Sequence, residues 1–331
     1  MTTVQRAKSR ATILLTALCV GGAGLSAGPA AAQNFPAKPI TLVVNWPAGG
    51  SADAIGRLIA AWASKRVAVP IVVANITGAA GANGTRRTAE SEPDGYTVGV
   101  IHAAFVVRTY LNRNATPLDD VDPIAFVGTD PGALEVRTDT GIKSVRQYVD
   151  TLRARPGSIA NGNDPPGGAA YMMAARLEKF FDIDMSLVPY QGYAPTVAAL
   201  ISGEVESATV PVNQVIEHYK AGLVAILAVA GEQRSFQAPD VPTFKELGFD
   251  FVAGDWSALV LPNGVPSDRK AYLETLFLDT MTDPAFQEAA RTAGFLMTPL
   301  PADKARARIR AYDEEVYPIL VDAKLIKVRA K

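Results

Sequence analysis

The sequence predicts an α/β fold of doubly wound sheets, and three observations carry that expectation. Short β-branched runs alternate with amphipathic stretches along most of the chain. Over Pro39–Arg57 an apolar run, a tight glycine turn and the first turn of a helix follow one another. A second junction of the same kind follows Ser158–Asn161.

Taken in order, Ile40–Val44 reads as a strand and Asp53–Lys65 as a helix, with Ile55, Leu58, Ile59 and Trp62 at apolar spacing. Pro70–Ala74 reads as a strand whose Ile71-Val72-Val73 is β-branched and uninterrupted, as in a sheet buried on both faces. A short helix over Gly81–Glu90 and a strand over Tyr96–His102 follow. Ile124–Gly128 and Leu134–Arg137 read as short strands, split at Asp130-Pro131-Gly132 by a turn or hinge signal. Ser144–Ala154 reads as a helix with Ser144 as its N-cap. A strand over Ser158–Asn161 and a helix over Ala169–Phe181 come next. The alternation continues through Ser186–Pro189, Ala194–Ile201, Glu206–Val210, Val212–Ala221 and Val224–Ala230. Helices return over Ser267–Thr280, Pro284–Thr292 and Pro301–Leu320.

Residues 1–32 read as an export signal. Arg6, Lys8 and Arg10 form a positive head, an apolar stretch begins at Ala11–Leu18, and Ala30-Ala31-Ala32 satisfies the small-residue rule for cleavage before Gln33. The strongly apolar part is far short of the roughly 20 residues that a membrane span needs. Cys19 invites a lipoprotein reading, but Leu18 stands where a small residue should precede a lipidated cysteine. It is the one cysteine in the chain, so a mature protein cleaved at Gln33 has no disulfide, thiol nucleophile or thiolate ligand. The 331 residues leave room for two domains, and 48% hydrophobic content supplies their cores. A net charge of −1 argues against nucleic acid and anionic membrane as partners.

The first glycine junction is the leading site candidate. Pro47, Ala48, Gly49, Gly50 and Ser51 bring unpaired backbone N–H groups and the positive end of a helix dipole to one point. That is an anion cradle needing no basic side chain. Asp53 belongs to the same loop but reads as a cap or brace, since a carboxylate aimed at a bound anion repels it. In the second junction, Asn161, Asn163 and Asp164 lead through Pro165-Pro166-Gly167-Gly168 to a helix start. A third loop, Tyr190-Gln191-Gly192, offers directed hydrogen bonds and a flat apolar surface. His102 ends a strand and reads either as a cleft residue or as a satisfied structural histidine; Trp256 either shapes a cleft floor or packs a hinge. His218 is the other histidine, and two histidines this far apart in sequence do not suggest a metal site. Enzyme motifs fail: Asp53 stands where a G-x-S-x-G elbow needs its last glycine, and neither G-x-x-x-x-G-K-[ST] nor H-E-x-x-H occurs. No cofactor is implied.

Six segments in order resemble one family. Lys38-Pro39-Ile40 with Pro47, Gly49-Gly50 and Asp53 resembles its opening, and Glu92-Pro93-Asp94-Gly95-Tyr96-Thr97 resembles its PDGYT. Val188-Pro189-Tyr190-Gln191-Gly192 resembles its VPYKG, and Lys220-Ala221-Gly222 precedes an apolar strand as in the family. Asp240-Val241-Pro242-Thr243 with Gly248-Phe249, and Leu261-Pro262-Asn263-Gly264-Val265-Pro266, complete the series. From about residue 36 onward the chain resembles the substrate-binding proteins of tripartite tricarboxylate transporters, the Bug receptors.

The resemblance implies a two-lobed fold of the type II periplasmic-binding-protein kind, with a ligand cleft between the lobes. Residues 33–132 plus 255–331 would form the first lobe and 133–254 the second. If the lobes face each other, the two cradles converge at the carboxyl ends of the strands, suited to an anion or a molecule with two anionic ends. The resemblance also implies a monomeric periplasmic receptor that hands a small carboxylate to membrane transporter subunits, not an enzyme. A receptor feeding a sensor kinase and an exported enzyme acting on carboxylates are the alternatives. Because the family is bacterial, the sequons at Asn75 and Asn114 read as chance. The second junction departs from the family, whose loop is rich in Ser, Gly and Thr with a histidine at the helix start. Here two prolines and Asp164 replace the hydroxyls, and Tyr171 stands near the histidine's place. Asp164 either selects a ligand bearing an amine or faces solvent.

Overall fold

The computed structural model describes residues 35–328, which lie within one compact unit. The export signal read over residues 1–32, its cleavage point and Cys19 lie outside the described residues.

Strand β1 (Ile40–Val44) lies parallel between β2 (Ile71–Asn75) and β3 (Thr97–His102). Helices α1 (Ser51–Ala63), α2 (Ala82–Ala89) and α3 (Ala103–Leu111) intervene or follow. The chain then runs up β4 (Val121–Pro131), passes Gly132 and enters a second sheet as β5 (Ala133–Arg137). There, α4 (Val145–Ala154), β6 (Ala160–Asn163), α5 (Ala169–Phe181), β7 (Ser186–Pro189), α6 (Tyr193–Ser202), β8 (Ser207–Ala208), α7 (Val212–Lys220) and β9 (Val224–Val229) alternate. The chain returns to the first sheet through β10 (Gly254–Pro262), α8 (Ser267–Thr282), α9 (Pro284–Thr292), β11 (Leu300–Pro301) and α10 (Ala302–Asp322). The first sheet has six strands in the order β11-β4-β10-β3-β1-β2, and the second has five in the order β7-β6-β8-β5-β9.

The result is the two-lobed α/β fold that the resemblance implies. The sheets are mixed, however, and not purely parallel. Strand β10 runs antiparallel to both β3 and β4, and β5 antiparallel to both β8 and β9. Antiparallel pairs occur where the chain switches sheets, because a strand that crosses from one lobe enters the other from the opposite end. Among the described residues no helix is long and apolar enough to cross a membrane.

Each sheet is covered on both faces. In the first lobe Ile40, Leu42 and Val44 pack with Ile55 and Ile59 of α1 and with Phe277 and Phe286, all buried. On the other face Ile101, Phe126 and Trp256 pack with Phe105 and Tyr110 of α3 and Ile309 of α10. In the second lobe Leu134 and Val136 pack with Tyr148 and Leu177, while Ile226 and Val210 pack with Leu200 and Val215. Ser144 caps α4 by accepting from the Gln147 N–H at 3.2 Å, as its sequence predicts.

Two chain crossings join the lobes and are knitted together. The Gly132 N–H donates to the Ala253 carbonyl at 3.0 Å, the Ala230 N–H to the Gly132 carbonyl at 2.8 Å, and the Ala253 N–H to the Ala230 carbonyl at 2.9 Å. Of the turn or hinge read from sequence at Asp130-Pro131-Gly132, the turn is not found: Asp130 and Pro131 are the last residues of β4, paired with Asp255 and Gly254, and the chain crosses between the sheets at Gly132. Gly254 is required by this close approach: a Cβ there would lie 2.4 Å from the Asp130 carbonyl oxygen. A second seam runs along α5 and α10. Met172 of α5 is buried in the first lobe's core, Arg176 pairs with Glu315 at 2.7 Å, and Lys179 pairs with Asp322.

Candidate functional site

The first cradle is built from the exposed Pro47–Gly50 loop and the start of α1. Gly49 has φ +88°, a conformation open to glycine and strained for residues with a Cβ. Gly50 is the N-cap and supplies no side-chain acceptor. The N–H groups of Gly50, Ser51, Ala52 and Asp53 have no acceptor among the described residues. The Gly49 N–H differs from the expectation: it donates to Asp53 Oδ2 at 2.9 Å. Asp53 also accepts from Arg57 Nε at 2.9 Å and from Asn75 Nδ2 at 2.9 Å, and Asn75 holds the Trp46 carbonyl at 3.0 Å. Burial works to raise the Asp53 pKa, but the bonds from Arg57, Gly49 and Asn75 outweigh it and hold the carboxyl below its ordinary value. Asp53 therefore braces the loop, and its own charge is committed to Arg57.

The second cradle is already partly filled. Asp164 is 6% exposed and accepts from the Ala170 N–H at 3.2 Å, so it caps α5 from within the loop. The solvent-facing alternative is thereby overturned: Gly167 packs over Val107 and Leu111 of α3, and the loop is pressed against the first lobe. Burial, with the Asp255 carboxyl adding to it, pushes Asp164 up to about 7 against the Ala170 bond. Asn161 is consumed in the second lobe, donating to Ser207 Oγ at 3.1 Å and accepting from Thr209 Oγ1 at 3.3 Å. Asn163 donates to the Asn161 carbonyl at 2.9 Å, and its buried Oδ1 has no partner among the described residues. Tyr171 packs against the first lobe's core.

In the third loop Tyr190 packs on the second lobe's core beside Gly162, and Gln191 is exposed. Gly192 turns the chain into α6. The next residue, Tyr193, is half-buried and also packs on the second lobe's core. Its pKa is raised well above the ordinary value by burial and then by the carboxyls of Asp255, Asp164 and Asp130.

Of these, Asp255 stands opposite Asp130 in the β10–β4 pairing. It accepts from the Ala103 N–H, the first of α3, at 3.0 Å and from the Trp256 N–H at 2.8 Å. His102 Nδ1 lies 3.7 Å from Asp255 and 3.2 Å from Ser257 Oγ, while its buried Nε2 has no partner among the described residues. Burial lowers the His102 pKa despite Asp255, which leaves a neutral imidazole at physiological pH. Lost hydration and the adjacent Asp255 raise Asp130 to about 7 against a bond from Asn213 of α7. Trp256 packs between Phe126 and Tyr312, with ring centroids 6.1 and 5.7 Å away. A cavity of about 670 Å³ reaches this cluster between Asp130, Asn213, Asp255 and Tyr312. Another, about 730 Å³, lies beside Asn112–Pro123, and neither cavity is lined by residues of the three loops. Among the described residues no group of three or more His, Cys, Asp or Glu is placed to hold a metal ion.

Two polar residues lie against the first loop and were not singled out from sequence. Gln214 of α7 donates to Ser51 Oγ at 2.6 Å, tying the second lobe to the first cradle. Arg108 of α3 is 7% exposed, its guanidinium carbon 5.9 Å from the centre of the Trp46 ring. The available signal was a lone arginine directly after the apolar run Ala103–Val107, a setting where a buried arginine is rare without a purpose.

With this geometry, the comparisons with known proteins are decisive. The sequence matches the tripartite tricarboxylate transporter family receptor profile over residues 55–308. The chain belongs to this receptor family. It is 30% identical over 300 residues to the protein BugT of Bordetella pertussis, spanning 89% of this chain and 91% of that one. A TctC solute-binding protein from Polaromonas superposes with a TM-score of 0.72 at 26% identity, covering 87% of this chain and 99% of the other. MatC from Rhodopseudomonas palustris, solved with bound malate, superposes with a TM-score of 0.73 at 25% identity, covering 85% and 100%. Members of the tripartite tricarboxylate receptor family bind solutes and are not enzymes, so this chain is a solute-binding receptor.

Proposed function

We propose that the protein is an exported, periplasmic receptor that binds a small organic acid between its lobes and delivers it to a membrane transporter of the tripartite tricarboxylate type. The observation that carries this reading is the first cradle, where four successive N–H groups at Gly50–Asp53 have no acceptor among the described residues at a helix start. The malate found in MatC supports a carboxylate as the ligand class. We take the lobes to be residues 33–132 plus 255–331 and residues 133–254, with the crossings near Gly132 and Gly254 as the hinge. The N–H groups of the first loop bind the anion, and Asn163 and Tyr193 of the second lobe meet it from the other side. Asp53 and Asn161 brace these loops, and Trp256 packs the hinge.

The mechanism is closure without chemistry. Ligand makes contacts in the closed form that the open form lacks, and the population shifts by that difference. A thermal-shift screen of organic acids tests the reading. At ligand 100 times Kd the stabilisation is about 2.7 kcal/mol, readily detected. Small-angle scattering at saturation should show a smaller radius of gyration. A screen in which no acid raises the melting temperature would remove the carboxylate reading.

A further inference from the structure

Arg108 is the one residue of the cluster whose charge has no evident structural use. It is 7% exposed, yet its guanidinium makes no hydrogen bond or ion pair among the described residues, and only burial and the nearby Asp255 charge act on it. Other arginines behave differently: Arg57 is held by Asp53, Arg176 by Glu315, and Arg306 by Asp122. A buried guanidinium without an acceptor is costly, so a chain that keeps one holds it for a partner of opposite charge. The surroundings say where that partner sits. The guanidinium lies over Trp46, which leads directly into the first cradle, and close enough to His102 and Asp255 to perturb His102 and be perturbed by Asp255. Burial lowers its pKa to about 10, with Asp255 opposing, so it stays charged at neutral pH.

The same cluster sets a limit on the ligand. Asp130 stands opposite Asp255 in the β10–β4 pairing, and Asp164 and Tyr193 are close enough to Asp255 for its carboxyl to raise their pKa values. One cation and three carboxyls share this space, and the neutral His102 adds no charge. We infer that Arg108 receives the ligand's carboxylate, and that the carboxyls gathered at Asp255 exclude a second one, making the receptor selective for monocarboxylates whose far end is neutral or cationic. The inference rests on the receptor reading above and names its substrate class. Arginine suits the task because its planar fork matches a carboxylate in two parallel bonds.

Matched probes test it. Butanoate, 4-aminobutanoate and succinate share a four-carbon chain and differ at one end; hexanoate, 6-aminohexanoate and adipate repeat the comparison at greater length. Titration calorimetry and thermal shift on the full purified protein should show at least one of the methyl- or amine-ended acids binding about tenfold or more tighter than its dicarboxylate partner. Arg108→Met should abolish that binding while the ligand-free melting temperature holds or rises, because an unpaired buried charge has been removed. A structural arginine would lower it. Should the methionine variant fail to fold, Arg108→Lys keeps the charge but loses the fork, and should weaken binding about tenfold. Asp164→Asn should improve succinate or adipate relative to wild type. Dicarboxylates binding within twofold of their partners, or an Arg108 variant of undiminished affinity, overturns the inference while leaving the receptor reading intact. Binding of no acid by the wild type overturns both.

Discussion

Replacing Asp164 by asparagine isolates the electrostatic cost of the buried carboxyl that caps α5. The side chains are nearly isosteric, and the amide oxygen can still accept from the Ala170 N–H that Asp164 now holds at 3.2 Å. What disappears is the titration. In the folded chain burial lifts this carboxyl from its ordinary 3.8 to about 7. The folded state therefore holds a proton that the unfolded state has released between those values. Stability must fall as pH rises from about 4 to about 7, and level off above. At about 1.4 kcal/mol for each pH unit, the full rise sets an upper bound of about 4 kcal/mol. Asp164→Asn lacks this slope. Equilibrium denaturation of both proteins from pH 4 to pH 8.5 is the assay. The variant should match the wild type within about 0.5 kcal/mol at pH 4 and exceed it by about 2–4 kcal/mol at pH 8. Parallel curves across the whole range would refute the argument, since they would mean that Asp164 is as well hydrated in the folded chain as in the unfolded one.

Three further outcomes follow from the geometry. Gly254→Ala forces a Cβ against the Asp130 carbonyl, and should cost about 1–3 kcal/mol and lower the melting temperature by several degrees. Gln214→Ala removes the bond to Ser51, worth about 1 kcal/mol, and should increase the ligand-free radius of gyration in small-angle scattering by favouring separated lobes. Gly49→Ala places a Cβ at φ +88° in open space, so the loss, about 1–2 kcal/mol by denaturation, should come from backbone strain with no clash.

Local signals made much of this fold legible. Strand Ile40–Val44, helix Ala169–Phe181, strand Ser186–Pro189 and helix Pro284–Thr292 lie where the sequence places them, because each has a clear period and a glycine, proline or cap at its edge. Helix α3 was missed for a physical reason. Eight of its nine residues, Ala103–Tyr110, are buried, so there is no polar face to set a period, and Val106-Val107 reads equally well as strand. Missing α3 meant missing Arg108. Strand β10 was missed because it opens on Gly254-Asp255 and its partners β3 and β4 are remote in sequence. The first cradle was legible because glycine at a strand-to-helix turn states its own geometry. The burial of Asp164 was not, because it depends on α3 of the other lobe pressing against Gly167.

The position of β10 also fixes the order in which the chain can become a protein. Its partners β3 and β4 end at residues 102 and 131, yet neither can complete its hydrogen bonding until residues 254–262 arrive between them. The second sheet has no such wait, since all its strands fall within residues 133–229. As the chain emerges from N- to C-terminus, the lobe that begins second is finished first. The first lobe stays an open sheet with two exposed edges through the synthesis or translocation of about 120 residues, a long interval for unpaired strands to meet the wrong neighbour. Refolding should accordingly show an early phase confined to the second lobe, and a slower one, of high contact order, that ends when β10 is inserted.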